Sequence, residues 1–387
     1  MRKKCMDFKS ELEQIFTPKK KYSNKYSRIL EKLGEEKRAN RVKECADFLE
    51  VTVFSDGSER LTHANFCGDP LCPQCSKRKS LKLYSQVSTV VDRLMSDYKF
   101  IFVTLSVANC DGEHLKLTCD QLQTAFSRFM ERPRIKKAIK GGFRALEITH
   151  DNNEFITSDM IYGNAQKHLK SREKYYRKRG LKVGDRNPNF DMYHPHLHNI
   201  FAVDKSYFDV NNPDYISQRE LAEIWKECLQ VDYTPIVDIR ACKEKFQTSK
   251  DHFVFKKLSS AVAEVAKYAV KGSDYLCGTD EQNEETVKTL LKTIRNRKMF
   301  AFYGVFRKVR AELKQEDINE DSDLLHVSED EEMTNARPLV KVRFVWSRKE
   351  NSYIHTTCEN FLQAFFYFRC NNLSRPQLLQ RFRNVLD

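Results

Sequence analysis

The segment YHPHLHNIFAV, residues 193–203, constrains this chain more than any other. Along a β-strand, alternate side chains share a face. His194, His196 and His198 therefore project from one face, and Leu197, Phe201 and Val203 from the other. Positions two apart on a strand lie about 7 Å from each other along the backbone, close enough for imidazoles to converge on one cation. Neutral imidazole is a common metal ligand. Three histidines in strict alternation beside an apolar run point to a metal-binding strand.

A carboxylate stands in a second strand-like run, Phe143-Arg-Ala-Leu-Glu-Ile-Thr149. Glu147 reads either as a further ligand or as a solvated strand residue. A mixed imidazole and carboxylate set suits Mg²⁺ or Mn²⁺ near phosphates and also accepts Zn²⁺. Phe100-Ile-Phe-Val-Thr-Leu-Ser-Val107 is apolar and β-branched, the pattern of a buried central strand. Helical spacing marks 25–49, 216–229 and 258–271, and Thr118-Cys-Asp-Gln121 fits a capping box ahead of Leu122, Phe126 and Phe129. Gly141-Gly142 reads as a stop signal. Mixed strands and helices in this order predict an α+β fold.

The run SSAVAEVAKYAVKG, residues 259–272, predicts a helix with Ser259 or Ser260 as N-cap and Gly272 as C-cap. Glu264 and Tyr268 are four apart and so neighbours on one face, flanked by Lys267 and Lys271. A free tyrosine has a pKa near 10, so attack by its oxygen needs help. Nearby lysines favour the phenolate, and Glu264 can act as a general base for the phenol or for water. An ordinary amphipathic helix with Glu–Lys pairing gives the same pattern. Tyr275 is a weaker alternative nucleophile.

Three cysteines, Cys67, Cys72 and Cys75, fall within nine residues in FCGDPLCPQCSKRKS. Their spacing, among turn-forming Gly68, Asp69, Pro70 and Pro73, suits tetrahedral Zn²⁺. Cys45 is the candidate fourth ligand, with His63 its rival. Lys77, Arg78 and Lys79 follow at once and would present cations to a nucleic-acid backbone.

Charge supports that partner. The chain carries 67 Lys+Arg against 54 Asp+Glu, net +13, which favours a polyanion and nucleic acid first. Residues 315–334 hold nine acids and no Lys or Arg, so the remainder is more basic than +13 indicates. That acidic stretch reads as a disordered linker. Between 167 and 186, nine basic residues, among them Arg177, Lys178 and Arg179, surround Tyr175 and Tyr176. This is either a backbone-tracking arm with aromatic stacking or a solvated helix. After 336, Val340, Val342, Phe344 and Trp346 alternate as in a strand. No 18-residue apolar run exists, and no apolar stretch follows the basic start, so neither a membrane span nor a secretory signal is expected, and the cytoplasm is the expected location. No G-x-x-x-x-G-K-[ST] loop occurs, so no ATP-driven helicase is expected within the chain.

Taken together, FCGDPLCPQCSKRKS, FIFVTLSV, LEITH, HPHLHNIFAV and EVAKYAVKGSDY resemble the plasmid rolling-circle replication initiator (Rep) proteins of the His-hydrophobe-His endonuclease superfamily, over roughly residues 40–310. The resemblance implies a central antiparallel sheet flanked by helices, with the histidine strand central and the tyrosine helix alongside. It implies His196 and His198 as paired ligands of Mg²⁺ or Mn²⁺, Glu147 as third ligand and His194 as supporting or additional. Tyr268 would be the nucleophile that forms a 5′-phosphotyrosyl link, and Glu264 occupies the place of a water-activating carboxylate. The implied partners are plasmid origin DNA with a single-stranded nick site at the double-strand origin, and a host helicase and DNA polymerase. The expected organisation is a helical, Cys-rich zinc region at 1–90, an endonuclease domain at 91–312, an acidic linker at 313–335 and a C-terminal extension at 336–387. A transposase or relaxase with the same chemistry, a non-catalytic zinc DNA-binding protein and a histidine-triad nucleotide hydrolase are the alternatives.

Overall fold

A computed structural model describes residues 12–54, 59–163, 170–242, 248–249, 252–253, 256–266, 270, 272–313 and 338–359. Its strands, in chain order, are β1 (Phe48–Phe54), β2 (Glu59–Ala64), β3 (Tyr98–Ser106), β4 (Ile139–His150), β5 (Tyr193–Asp204), β6 (Val237–Ala241), β7 (Thr248–Ser249), β8 (His252–Phe253), β9 (Phe300–Gly304), β10 (Pro338–Ser347) and β11 (Ser352–Glu359). The chain divides into two compact units, one of residues 1–93 with 309–387, the other of residues 94–308.

The second unit is built on a five-stranded antiparallel sheet in the order β6-β3-β5-β4-β9. The histidine strand β5 is central, as expected, with the apolar β3 on one side and β4 on the other. Strands buried on both faces read as continuous apolar runs rather than alternations, which is why FIFV stands out in the sequence. Helix Leu115–Glu131 and helix Gln218–Leu229 cover one side with Phe129 and Trp225, whose rings meet edge to face at 5.9 Å. The Trp225 indole N–H donates to the Ser106 carbonyl at 2.8 Å, so its one polar atom is satisfied inside the core.

Gly141 and Gly142 do not end an element; they lie inside β4. Their role is close approach. A Cβ on Gly142 would sit 2.3 Å from the Ile200 carbonyl oxygen of β5. A Cβ on Gly304 of β9, at φ +55°, would sit equally close to β4, 2.3 Å from the Lys140 carbonyl oxygen.

The first unit holds a four-stranded antiparallel sheet in the order β11-β10-β1-β2. The alternation at Val340, Val342, Phe344 and Trp346 forms β10, and it pairs with β1 almost 300 residues earlier. The inward faces of β1 and β10 bury Leu49, Val51, Val53, Val340, Val342 and Phe344 against Leu12 and Phe16.

Several local expectations are corrected. The predicted 25–49 helix is two helices, Thr17–Lys32 and Glu36–Glu44, and then β1. Gly34, at φ +77°, ends the first because a left-handed residue cannot continue a right-handed helix. Thr118 caps nothing: the helix starts at Leu115, one turn earlier, behind His114, whose N–H is held by Asp111 Oδ1 at 2.9 Å. The helix predicted over 258–271 is described as Lys256–Val265, so Ser259 and Ser260 lie within it rather than at its cap. Gly272 opens a four-residue helix, Gly272–Tyr275, instead of closing one. The acidic segment at 315–334 lies outside the described residues.

Candidate functional site

The β4–β5 register places Glu147 directly opposite His196, with His198 opposite Ala145 and His194 opposite Thr149. Cross-strand partners share a face, so the carboxylate joins the histidine row. His198 Nε2 lies 2.8 Å from Glu147 Oε2, His196 Nε2 lies 3.0 Å from His198 Nε2, and His196 Nε2 lies 3.4 Å from Glu147 Oε2. All three side chains are buried. Adjacent ligands of an octahedral cation with bonds of about 2.1 Å stand about 3.0 Å apart, so this triangle matches one face of such a site. The ambiguity over Glu147 is thereby resolved in position: it is a buried member of the cluster.

The far sides of both rings are held. His198 Nδ1 shares a hydrogen bond of 3.2 Å with Thr104 Oγ1 on β3, and Phe102 stacks on the ring at a centroid distance of 5.5 Å. His196 Nδ1 lies 3.1 Å from the carbonyl of His194. Fixing Nδ1 in this way leaves Nε2 of both rings to face the cluster, which is how ligating histidines are oriented. Thr104 carries no spacing signal of its own; only the β3–β5 register brings it opposite His198.

His194 stands beside this cluster rather than in it. Its ring is 5.1 Å from that of His196, and its Nδ1 donates to Asn109 Oδ1 at 2.7 Å, with Asn109 in turn donating to Asn189. Burial, reinforced by the neighbouring His196, lowers its pKa to about 4, so the ring is neutral at neutral pH.

Helix Lys256–Val265 packs against β5 and β4, the two strands that carry the triad. Glu264 is half-buried near its end. Tyr268, Lys267 and Lys271 lie outside the described residues. Tyr275 is buried in the short helix Gly272–Tyr275, which also contacts β4.

A second cluster forms in the first unit. Cys45, Cys67, Cys72 and Cys75 gather their sulfurs together. Sγ–Sγ separations are 3.6 Å for Cys45–Cys75, 3.6 Å for Cys67–Cys75 and 3.5 Å for Cys72–Cys45. A zinc tetrahedron with bonds of about 2.3 Å has edges of about 3.8 Å, so four thiolates here fit Zn²⁺ with a small expansion. The Cys67 N–H also donates to Cys45 Sγ at 3.4 Å. Burial opposes ionisation of Cys72, but hydrogen bonding with Cys45, Cys67 and Cys75 outweighs this and holds its pKa well below the ordinary thiol value. Between the two candidate fourth ligands, the fold brings in Cys45; His63 is exposed on β2, its ring 5.5 Å from Phe48.

Lys77, Arg78 and Lys79 are half-buried in the opening turns of helix Pro73–Leu94, with the Arg78 guanidinium 5.2 Å above the Phe66 ring. Arg177, Lys178 and Arg179 are exposed at the end of helix Lys170–Lys178, and Arg179 stacks 3.7 Å over Tyr175. No helix among the described residues is long and apolar enough to cross a membrane.

The chain is similar to known replication proteins. A family model described as "Replication protein", Rep_1, matches residues 58–354. A "Protein rep" of Streptococcus pneumoniae serotype 2 (strain D39 / NCTC 7466) is 31% identical over 340 residues, spanning 87% of this chain and 90% of the relative. A "Protein rep" of Bacillus amyloliquefaciens is 30% identical over 329 residues, 82% of this chain and 85% of the relative. A "Replication protein" of Staphylococcus aureus is 24% identical over 252 residues, 65% of this chain and 88% of the relative. No solved structure matches the chain.

Proposed function

Because the chain belongs to the Rep_1 family of replication proteins, we propose that it is a site-specific DNA endonuclease and strand transferase that starts rolling-circle replication of a plasmid. It nicks one strand at the double-strand origin, where the scissile phosphate is exposed as single strand. The observation that carries this reading is the buried triangle of Glu147 Oε2, His196 Nε2 and His198 Nε2, with edges of 2.8 to 3.4 Å.

His196, His198 and Glu147 hold Mg²⁺ or Mn²⁺, and His194 supports the row. A cation held there would supply Lewis-acid polarisation of the scissile phosphate and offset charge developing in the transition state. Tyr268 supplies the nucleophile. Its oxygen forms a bond to phosphorus on the 5′ side as the bond to the 3′ oxygen breaks, and the phenol proton is lost as the 3′ oxygen gains one. The products are a 5′-phosphotyrosyl link and a free 3′-OH, which a host DNA polymerase extends while a host helicase opens the duplex. Energy of the cleaved bond is retained for later rejoining. Lys267 and Lys271 favour the phenolate, and Glu264 activates water for a terminating cleavage. A normal termination rate in Glu264→Gln would remove that last role.

Cys45, Cys67, Cys72 and Cys75 hold a structural Zn²⁺. Lys77, Arg78 and Lys79, with Arg177, Lys178 and Arg179, contact DNA phosphates. The site of action is the cytoplasm, with no membrane partner.

The test is incubation of supercoiled DNA bearing the candidate origin with protein and Mg²⁺ or Mn²⁺. Wild type gives nicked circles, and His196→Ala with His198→Ala gives none. Nicking that persists in the double variant, or that needs no divalent cation, would overturn the reading.

A further inference from the structure

The turn that carries Cys45 is closed within its own loop by the Asp47 N–H, which donates to the Glu44 carbonyl at 3.0 Å, but the carbonyls of Cys45, Ala46 and Asp47 are caught from outside that loop. Cys45 is followed by Ala46, at φ +53°, and then by Asp47. A left-handed alanine is strained and persists only where its surroundings fix it. Here three successive carbonyls are each caught by a different segment. Lys20, fully buried, donates from Nζ to the Cys45 carbonyl at 2.6 Å and pairs with Asp47 Oδ1 at 2.6 Å. Tyr353 OH, from β11, donates to the Ala46 carbonyl at 2.7 Å. The Trp346 N–H, from β10, donates to the Asp47 carbonyl at 2.7 Å.

Two of those three grips come from the C-terminal hairpin. Tyr353 lies 307 positions from Ala46. Its hydroxyl also accepts from Gln74 Nε2 at 3.3 Å, and Gln74 is the neighbour of Cys75. The Trp346 and Tyr353 rings meet edge to face at 5.1 Å, which keeps the two grips in one piece. One phenol therefore touches the segments bearing two of the four sulfurs.

We infer that the β10–β11 hairpin is the clasp of the cysteine site: Tyr353 is a positioning residue for Cys45, and the N-terminal metal site is completed only by the C-terminal part of the chain. This rests on the reading that Cys45, Cys67, Cys72 and Cys75 hold zinc. The metal-binding region at 1–90 is then not self-sufficient. Its fourth ligand is set by strands that follow the whole of the second unit in sequence, so metal retention reports that the chain is complete.

Zinc release from the full-length protein to a chromogenic chelator tests this. Wild type should carry one zinc per chain and release it slowly. Tyr353→Phe, which removes only the hydroxyl and with it the hydrogen bonds to Ala46 and Gln74, should release it about tenfold faster or more. Co²⁺ substitution should show an altered tetrahedral absorption band in this variant. Tyr303→Phe, which removes a buried hydroxyl of the second unit that has no hydrogen-bond partner among the described residues, should behave as wild type. If Tyr353→Phe fails to fold, Trp346→Phe loosens the same hairpin and should also speed release. Release from Tyr353→Phe or Trp346→Phe at the wild-type rate overturns the clasp while leaving the zinc reading intact. Absence of zinc from wild-type protein overturns the zinc reading, and the clasp with it.

Discussion

His198 Nε2 and Glu147 Oε2 stand 2.8 Å apart although 51 residues separate them in the sequence. The contact follows from register: β4 and β5 pair so that Glu147 faces His196 and its carboxylate reaches diagonally to His198. A one-residue slip would turn every histidine to the other face. If the triangle binds a cation, Glu147→Gln, which keeps the shape and removes the charge, should weaken Mn²⁺ binding by about 100-fold, as judged against the 10–100-fold losses seen for outer-shell ligand partners. Titration calorimetry with Mn²⁺ measures it; unchanged affinity would exclude Glu147 as a ligand.

Thr104 should matter without touching the cation. Its hydroxyl lies 3.2 Å from His198 Nδ1 and fixes the ring. Thr104→Val keeps the β-branched shape and removes the hydroxyl. A loss of about 10-fold or more in Mn²⁺ affinity, with the thermal midpoint little changed, is expected. Equal affinity in the two proteins would show that packing by Phe102 alone holds the ring.

Thiol labelling should separate seven of the described cysteines into three groups. Burial pushes Cys119 and Cys242 up to about 12. A raised thiol pKa means the reactive thiolate is scarce at pH 8 and grows about tenfold per pH unit up to that value. Among the described cysteines, the exposed Cys277 should therefore be alkylated first at pH 8. Cys45, Cys67, Cys72 and Cys75 should be protected until a chelator is added, then react together. Mass spectrometry after timed alkylation reads this, and chelator-independent labelling of the four would count against bound metal.

Gly304→Ala tests the close packing of β9 on β4. At φ +55°, with a Cβ position 2.3 Å from the Lys140 carbonyl, the added methyl meets both backbone strain and a clash. Destabilisation of about 1–3 kcal/mol is expected in chemical denaturation. A stability within about 0.5 kcal/mol of wild type would mean that the strands separate easily there.

The histidine strand and the apolar β3 were legible in the sequence because strand periodicity is short-range and both runs are long. The three clustered cysteines were legible for the same reason. Cys45 was a candidate by distance along the chain, and its choice over His63 needed the fold. Glu147 was ambiguous because its face depends on pairing with β5, a contact across 51 residues. Thr104, Lys20 and Tyr353 were missed altogether. Each acts through a register or a carbonyl grip between distant segments, and a single polar residue in an apolar run carries no spacing to reveal that. The helix boundaries near Gly34 and Thr118 were misplaced because one left-handed glycine and one loop hydrogen bond decided them.

As the proposed nucleophile, Tyr268 should become covalently joined to DNA. Labelled origin DNA is incubated with protein and Mn²⁺, denatured, and resolved on a gel that separates free DNA from protein-bound DNA. Wild type should give a covalent adduct carrying a 5′ phosphate linkage and Tyr268→Phe none, while both proteins bind the same DNA equally well. An adduct of equal yield from Tyr268→Phe would contradict it.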